Sequence, residues 1–561
     1  MLLSNLARLG RRYRHFSRYR EILTVLFKHG FGDLLHGVGL RPASLWPFRP
    51  KAEPVAEPWT RHERVRLAME ELGPTFVKLG QILSTRVDIL PPPLIAELEK
   101  LQDAVPPFPS DQAKAIVASE FHRPLCDLFP HFAAAPLASA SIAQVHRATL
   151  PNGDCVVVKI RRPGIETVME TDLEIMADLA GLIERTVPDA AFFEPVRIVA
   201  EFSRNLRREL DFTAEARHVE RFHQQFAADP RIHVPAVIRQ LGTERVITLE
   251  FIDGIKISHL AELDASGADR KLLAAHGAKL TMEQVFIHGF FHGDPHPGNI
   301  VALPGNVLCY LDYGLMGTLT LRQRDMLGEL FLGLAEKDER RIADAILRFS
   351  GQHYIEQLPR LEADLALLLE AYQNRPLREI HAGEVLTEIA RLMVRYGIHL
   401  PADFFLLTKS LAMLEGIGRR LDPEFDIMGA MEPFARRLLR ERFAPKRVLK
   451  GLISTFSEMG SFLRHLPEEA DALLTQVRRG DIRIKFEHRG LDRLAHSLDQ
   501  TSNRVAFAIV LAALIIGSAI MVHSGIPPKW NGIPIIGLSG FCLSGFMGFS
   551  LLWSIFKHGK M

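Results

Sequence analysis

The sequence predicts an α+β chain: a small strand-bearing lobe, a helical lobe, a helical extension ahead of both, and a helical membrane hairpin at the end. Three observations predict it. Strand-like runs are confined to 137–160, 244–252 and 307–311. Amphipathic helical patterns occupy 60–103, 165–225, 267–290 and most of 321–480. Two long uncharged stretches close the chain. At 561 residues the chain holds several domains rather than one. We divide it into 1–58, 59–136, 137–255, 256–430, 431–504 and 505–557.

The first 28 residues carry Arg8, Arg11, Arg12, Arg14, Arg18, Arg20 and Lys28 against one acid, Glu21. Leu2, Leu3, Leu6, Leu9, Tyr13 and Phe16 interleave with them at near-helical spacing. Such a basic amphipathic segment lies on an anionic membrane surface, docks on its own domain, or serves as an organelle transit peptide. Residues 41–58 are Pro-rich and read as a linker. Further on, Glu70-Glu71-Leu72-Gly73 ends one helix and Pro74 suits the first turn of the next. Pro91-Pro92-Pro93 breaks the pattern, and 104–110 forms another loop.

The charge balance, 68 Lys+Arg against 66 Asp+Glu, leaves +2 and argues against a nucleic-acid partner. Cys126, Cys155, Cys309 and Cys542 are far apart, which excludes a disulfide framework and a CxxC metal pair.

Three segments carry chemistry by their order. Val156-Val157-Val158-Lys159 ends a β-branched run in a lysine. His292-Gly293-Asp294-Pro295-His296-Pro297-Gly298-Asn299 follows an apolar helix, with Asp and Asn five apart, which is the spacing of a kinase catalytic loop. Leu311-Asp312-Tyr313-Gly314 comes eighteen residues after Asp294 and reads as a variant of the metal-binding DFG element. Phosphoryl transfer needs a cation on the nucleotide phosphates, a divalent metal across them, and a carboxylate that orients the nucleophile. Lys159 supplies the first, Asp312 and Asn299 offer oxygens to Mg²⁺, and Asp294 orients a hydroxyl or water. A competing reading takes His292, Asp294 and His296 as ligands of a zinc hydrolase, which leaves Lys159 and Asp312 without roles.

Where a kinase has its glycine-rich phosphate loop, this chain has Ala138, Ser139, Ala140, Ser141, Ile142, Ala143, Gln144 and Val145. Alanine permits less close approach than glycine. No Ala-Pro-Glu follows Asp312 at activation-loop distance. Both features weigh against phosphorylation of proteins.

Residues 505–522 and 533–556 are free of charge, and each is long enough for roughly 30 Å of hydrocarbon. The link between them holds Pro527, Pro528, Asn531 and Gly532, with Trp530 suited to the headgroup level. Lys485, Arg489, Arg493 and Arg504 precede the first span, and Lys557 and Lys560 follow the second. The positive-inside rule then puts both ends and the preceding domains on the cytoplasmic side. Ala513 with Gly517, and Ser544 with Gly548, have the spacing that lets helices approach, within the hairpin or between two copies in a homodimer.

Taken together, the chain resembles the UbiB/AarF family of atypical protein-kinase-like proteins from about 60 to 420. The resemblance is carried by PTFVKLGQILSTR, ASASIAQVH, VVVKIRRPG, Glu209-Leu210-Asp211 with Phe212-Thr213-Ala214-Glu215, HGDPHPGN and LDYG. It implies a two-lobe protein-kinase-like fold that binds ATP and Mg²⁺ between its lobes. It implies that Lys159 pairs with Glu215. Lys78 and Gln81 are implied to lie on the substrate side, with Lys78 paired to Glu209. Glu250 and Ile252 fall at the hinge that meets adenine. The family further implies ATP hydrolysis in support of ubiquinone biosynthesis at the bacterial inner membrane. The expected partners are membrane lipids, isoprenoid quinone precursors and the enzymes that handle them. An authentic protein kinase, or a nucleotide-sensing scaffold without turnover, are the alternatives.

Overall fold

The computed structural model describes residues 16–31, 59–86, 89–101, 105–186, 194–351, 357–372, 381–398, 400–442, 491–530 and 533–558. It falls into two units, Met1–Gly451 and Leu452–Met561. Residues 1–15, the linker 41–58 and most of 431–490 lie outside the described residues.

The first unit opens with α1 (residues 16–28), α2 (Arg61–Leu72), α3 (Pro74–Leu83) and α4 (Pro92–Leu98). A capping box starts α2: Thr60 Oγ1 accepts the Glu63 N–H and the Glu63 carboxylate accepts the Thr60 N–H. Gly73 separates α2 from α3 at φ +96°, a conformation side chains rarely adopt. Of the readings open for the basic segment, the structure favours docking for its described part. Ile22 and Val25 are buried in one cluster with Ala68, Leu72, Phe76 and Met169.

Next come α5 (Ser110–Phe121), β1 (His131–Phe132), β2 (Ala138–Ser139), β3 (Ala143–Thr149) and β4 (Cys155–Arg161). Then follow α6 (Ile165–Thr186), α7 (Pro195–Leu210), α8 (Phe212–Phe226), β5 (Ile232–His233) and β6 (Val246–Glu250). Strands β1, β3, β4 and β6 form an antiparallel sheet in that order, with β2 on β3. Side chains alternate across a strand. Val156, Val158 and Ile160 of β4 are buried with Ala113, Val117 and Phe129, so Lys159 faces the other way.

The remainder is mostly helical. It contains β7 (Ile255–Lys256), α9 (Leu260–Ala265), α10 (Arg270–Met282), β8 (Phe290–His292), β9 (Ile300–Leu303), β10 (Val307–Tyr310) and β11 (Met316–Thr318). After them come α11 (Leu321–Glu336), α12 (Glu339–Ser350), α13 (Leu358–Glu370), α14 (Ala382–Arg395), α15 (Ala402–Leu421) and α16 (Ile427–Arg442). A π-helical turn, Glu283–His288, links α10 to β8. There Gln284 Oε1 accepts the His292 N–H at 3.0 Å. Strand β8 pairs with β11 in the register Met316 opposite His292, which brings the His-Gly-Asp loop beside the segment that follows Asp312.

The second unit contains α17 (Leu491–Ser524), β12 (Lys529–Trp530), β13 (Ile533–Pro534) and α18 (Ile535–His558). The sequence predicts two spans; the structure supports one. Val505–Ser524 is long and apolar enough to cross a membrane. Among the described residues the apolar part of α18 is Ile535–Phe549, fifteen residues, short of the ~20 a bilayer demands. The two helices meet at Gly537 and Gly540, where a Cβ would fall 2.6 Å from Val522 Cγ2 and 2.2 Å from Ser518 Oγ. Gly517, one of the small residues singled out by spacing, has open space beside it.

Candidate active site

Lys159 extends from β4 into a pair of carboxylates. Its Nζ donates to Glu215 Oε1 at 2.9 Å and Oε2 at 2.8 Å, and to Asp312 Oδ1 at 3.2 Å. Glu215 stands in the first turn of α8, whose N-cap Asp211 accepts the Thr213 N–H at 2.9 Å. Only 5 % of Glu215 is exposed. The two carboxylates share one ammonium unequally. Lys159 holds Asp312 well below the usual carboxylate range, while burial pushes Glu215 up to about 7 against the pull of Lys159. Burial by itself would lower Lys159, but Asp312 and Glu215 outweigh it and keep the ammonium protonated above its ordinary value.

The catalytic-loop motif is fixed by its own backbone. His292 Nε2 donates to the Asp312 carbonyl at 2.7 Å, and its Nδ1 accepts the Asp294 N–H at 3.2 Å. Both ring nitrogens are thereby used, which disfavours the zinc reading. Among the described residues no group of three or more His, Cys, Asp or Glu could hold a metal. His296 Nδ1 accepts the Gly298 N–H at 3.1 Å. Asn299 ends a short 3₁₀ turn, and its carbonyl accepts the Leu311 N–H at 2.8 Å, one residue before Asp312. The loop rests on α15. Ser410 Oγ donates to the His292 carbonyl at 2.7 Å. A Cβ on Gly293 would lie 2.8 Å from the Leu406 side chain, so the loop backbone approaches α15 closely. Asp294 Oδ1 pairs with Lys409 Nζ at 3.1 Å. Leu406, Lys409 and Ser410 were not singled out by sequence. Their helical pattern reads only as amphipathic, and their role arises from tertiary contact.

The Ala-rich segment is a hairpin above Lys159. Ala138 and Ser139 pair with Val145 and Gln144, and Val145 in turn lies opposite Lys159. The Ala140 N–H donates to the Ala143 carbonyl at 2.8 Å, closing a turn in which Ser141 and Ile142 are buried. The Ser141 hydroxyl has no hydrogen-bond partner among the described residues. The Gln144 side chain faces the 105–109 segment: its Oε1 accepts the Phe108 N–H at 2.9 Å and its Nε2 donates to the Phe108 carbonyl at 3.2 Å. Arg162, also outside the predicted set, clamps the turn. Its Nε donates to the Ala140 carbonyl at 2.8 Å, and its Nη2 to Ser139 Oγ at 2.7 Å and the Pro106 carbonyl at 2.9 Å. The RRPG sequence after Lys159 was the available signal.

The other predicted residues have partners of their own. Lys78 Nζ donates to Glu209 Oε1 at 2.8 Å, joining α3 to α7. Gln81 faces its own extension, donating to the Leu101 carbonyl at 3.2 Å. The Glu250 carboxylate turns to His233 Nε2 at 3.1 Å and the Ala236 N–H at 3.1 Å, which leaves hinge contacts to the backbone. Ile252 is half-buried, two residues beyond β6.

Asp312 and Asn299 are residues of the kind that offer oxygens to Mg²⁺. The Asp312 carboxylate and the Asn299 amide are hard oxygen donors, and their small number fits an ion that completes its shell with water and substrate phosphates.

Comparison with known proteins shows the family. The family model of the ABC1 atypical kinase-like domain matches residues 100–346. That of the UbiB helical domain matches 365–426, and that of the ABC1/UbiB kinase-like C-terminal domain matches 489–557. A probable protein kinase UbiB of Xanthomonas campestris pv. campestris is 37% identical over 539 residues, covering 92% of this chain and 96% of its own. One from Xylella fastidiosa is 36% identical over 543 residues, covering 94% and 98%. A Mycobacterium tuberculosis protein solved in complex with erythromycin aligns with 62% of this chain and 92% of its own, at 24% identity and a TM-score of 0.41. The chain belongs to the UbiB family of ABC1 atypical kinase-like proteins.

Proposed function

We propose that this protein is an ATPase of kinase-like fold, anchored at the cytoplasmic face of the inner membrane, which supports synthesis of ubiquinone or a related isoprenoid lipid. The observation that carries the reading is Lys159 held between Glu215 and Asp312. A cation fixed by one buried carboxylate and shared with a more exposed one can be transferred to phosphate without losing its anchor. In this reading nucleotide lies between the sheet of β1–β4 and β6 and the helical part. Lys159 binds its phosphates, and the backbone from Glu250 to Ile252 meets the base. Asp312 and Asn299 hold Mg²⁺, which when bound neutralises phosphate charge. Asp294 orients water against the terminal phosphorus. The bond from that phosphorus to the bridging oxygen breaks, and ADP and inorganic phosphate leave.

The Lys78–Glu209 pair and the Ala-rich hairpin support hydrolysis over transfer to a peptide. The relatives' printed name favours a second reading, phosphorylation of a protein. The C-terminal unit supports anchoring, with Val505–Ser524 as one span and α18 proposed as the second. Isoprenoid quinone precursors reside in the bilayer and are the proposed ligands, with their enzymes as partners and a second copy of the chain as a further contact.

The test is phosphate release by the full chain in phosphatidylglycerol-containing vesicles, with and without isoprenoid phenols. Asp312→Asn should abolish turnover and Mg²⁺-dependent nucleotide binding. Normal hydrolysis by that variant would overturn the metal assignment. Stoichiometric transfer of labelled phosphate to a protein in trans would favour the second reading.

A further inference from the structure

We propose that Lys409, on α15 and more than a hundred residues beyond the catalytic loop, is the positioning residue of Asp294. The inference rests on the ATPase reading above and adds a residue to its machinery. The segment Asp294-Pro295-His296-Pro297-Gly298-Asn299 contains no lysine or arginine. The cation facing its carboxylate comes from the helical domain instead, with Lys409 Nζ 3.1 Å from Asp294 Oδ1.

This contact is a built one. Three neighbours on α15 take three consecutive loop residues: Ser410 bonds the His292 carbonyl, Leu406 packs on Gly293, and Lys409 meets Asp294. The backbone register between helix and loop is therefore set independently of the ion pair. One turn earlier on the same helix, Phe405 carries the Arg86 guanidinium over its ring at 5.3 Å, so this face of α15 also meets the N-terminal extension. Glu99, at the C-cap of α4, faces Lys409 from that extension; burial raises its carboxyl and the charge of Lys409 opposes the rise.

An ammonium on Oδ1 fixes the rotation of the Asp294 carboxylate and leaves Oδ2 to accept a hydrogen bond from the attacking water. Without it the carboxylate rotates, and a misplacement on the order of 1 Å costs about a hundredfold in rate. Both partners are partly exposed, so the pair itself contributes little to folding. Lys409→Met should therefore fold.

The experiment measures steady-state ATP hydrolysis and Mg·ATP-analogue affinity for the full chain in vesicles. It compares wild type with Lys409→Met, Lys409→Arg, Asp294→Asn and the Asp294→Asn/Lys409→Met double variant. Lys409→Met should lower kcat roughly tenfold to a hundredfold with nucleotide affinity within twofold. Lys409→Arg should recover part of the loss. The double variant should be no slower than Asp294→Asn alone, because the lysine acts through the aspartate. Wild-type kcat in Lys409→Met, losses that multiply in the double variant, or a loss confined to affinity each overturn the proposal. A wild-type chain that hydrolyses no ATP overturns the ATPase reading and this inference together. An active wild type with an unaffected Lys409→Met overturns this inference alone.

Discussion

Asp172→Ala should release the first helix from the extension. Asp172 lies on α6 with 0 % exposure and accepts three hydrogen bonds. Arg18 donates Nε at 2.7 Å and Nη2 at 3.1 Å, and Thr75 Oγ1 donates at 2.6 Å. Arg18 Nη2 also reaches the Leu72 carbonyl at 2.6 Å, so one carboxylate ties α1, α3 and the end of α2 to α6. Removing one partner of a buried ion pair costs about 3–5 kcal/mol, because the other charge stays behind. Arg18 keeps Glu21 at 3.0 Å, the Leu72 carbonyl and some solvent, which places the loss at the lower end, about 3 kcal/mol. At about 2–4 °C per kcal/mol for a large domain, the melting temperature should fall by about 6–12 °C. The assay is thermal unfolding of the detergent-solubilised full chain, with limited trypsin cleavage at Arg20 as the local reporter. The double variant Arg18→Met/Asp172→Asn should recover part of the stability, since the only charge it leaves unpaired is that of the exposed Glu21. A melting temperature within 2 °C of wild type, with Arg20 no more accessible, would refute the docking of α1 and favour the membrane-surface reading of the basic segment.

Two further outcomes follow from the hairpin and the buried histidines. Arg162→Ala removes the guanidinium that joins Ser139, Ala140 and Pro106; the Kd for a Mg·ATP analogue should rise about tenfold, or ~1.4 kcal/mol, read by fluorescence titration, and an unchanged Kd would detach the hairpin from nucleotide binding. His146 and His292 are held neutral chiefly by burial, below the ordinary histidine value. Each accepts a bond that a proton would break: His146 Nδ1 donates to the Ala133 carbonyl and so Nε2 accepts from Gln144, while His292 Nδ1 accepts from Asp294. The unfolded chain takes up these protons as pH falls below about 6.5 and the folded chain does so only at lower pH, so stability is lost on acidification from that point, by at most ~1.4 kcal/mol per pH unit per group. A melting temperature that stays flat between pH 7.5 and 5.5 would contradict this.

What could be read in advance follows the range of the interactions. Lys159 and Asp312 announced themselves because each sits in a short apolar strand or at its end, where local pattern and chemistry coincide. Strands β1, β5 and β7 span two residues each, too few for a period of two to register, and they are held by pairing with distant segments. Gln144 and His146 are polar positions within a run read as strand, and nothing local shows that they are fully buried, one bonded to Phe108 and the other to Ala133. The amphipathic pattern of the basic segment leaves docking open beside other readings, and nothing local reveals that Arg18 answers an aspartate on α6. Lys409 is the clearest case. Within LLTKSLAMLEG it is an ordinary charged position on an amphipathic helix, and only the seating of Gly293 against Leu406 gives it a partner.

The Ala-rich hairpin also changes how the two sides of the cleft relate. A glycine loop binds phosphate through exposed, adaptable backbone. Here Ser141 and Ile142 are buried, Arg162 fixes Ser139 and Ala140, and both Arg162 and Gln144 reach back to residues 105–109. The hairpin and that preceding segment therefore act as one packed body. Lys78, farther back on α3, is tied to Glu209, which lies six residues before the glutamate that anchors Lys159. Occupancy of the nucleotide side thus has two mechanical routes to the extension: through Arg162 to the 105–109 segment, and through α7 and α8 to Lys78. Under the function proposed above, these two packed routes are where a change in nucleotide state would reach the extension.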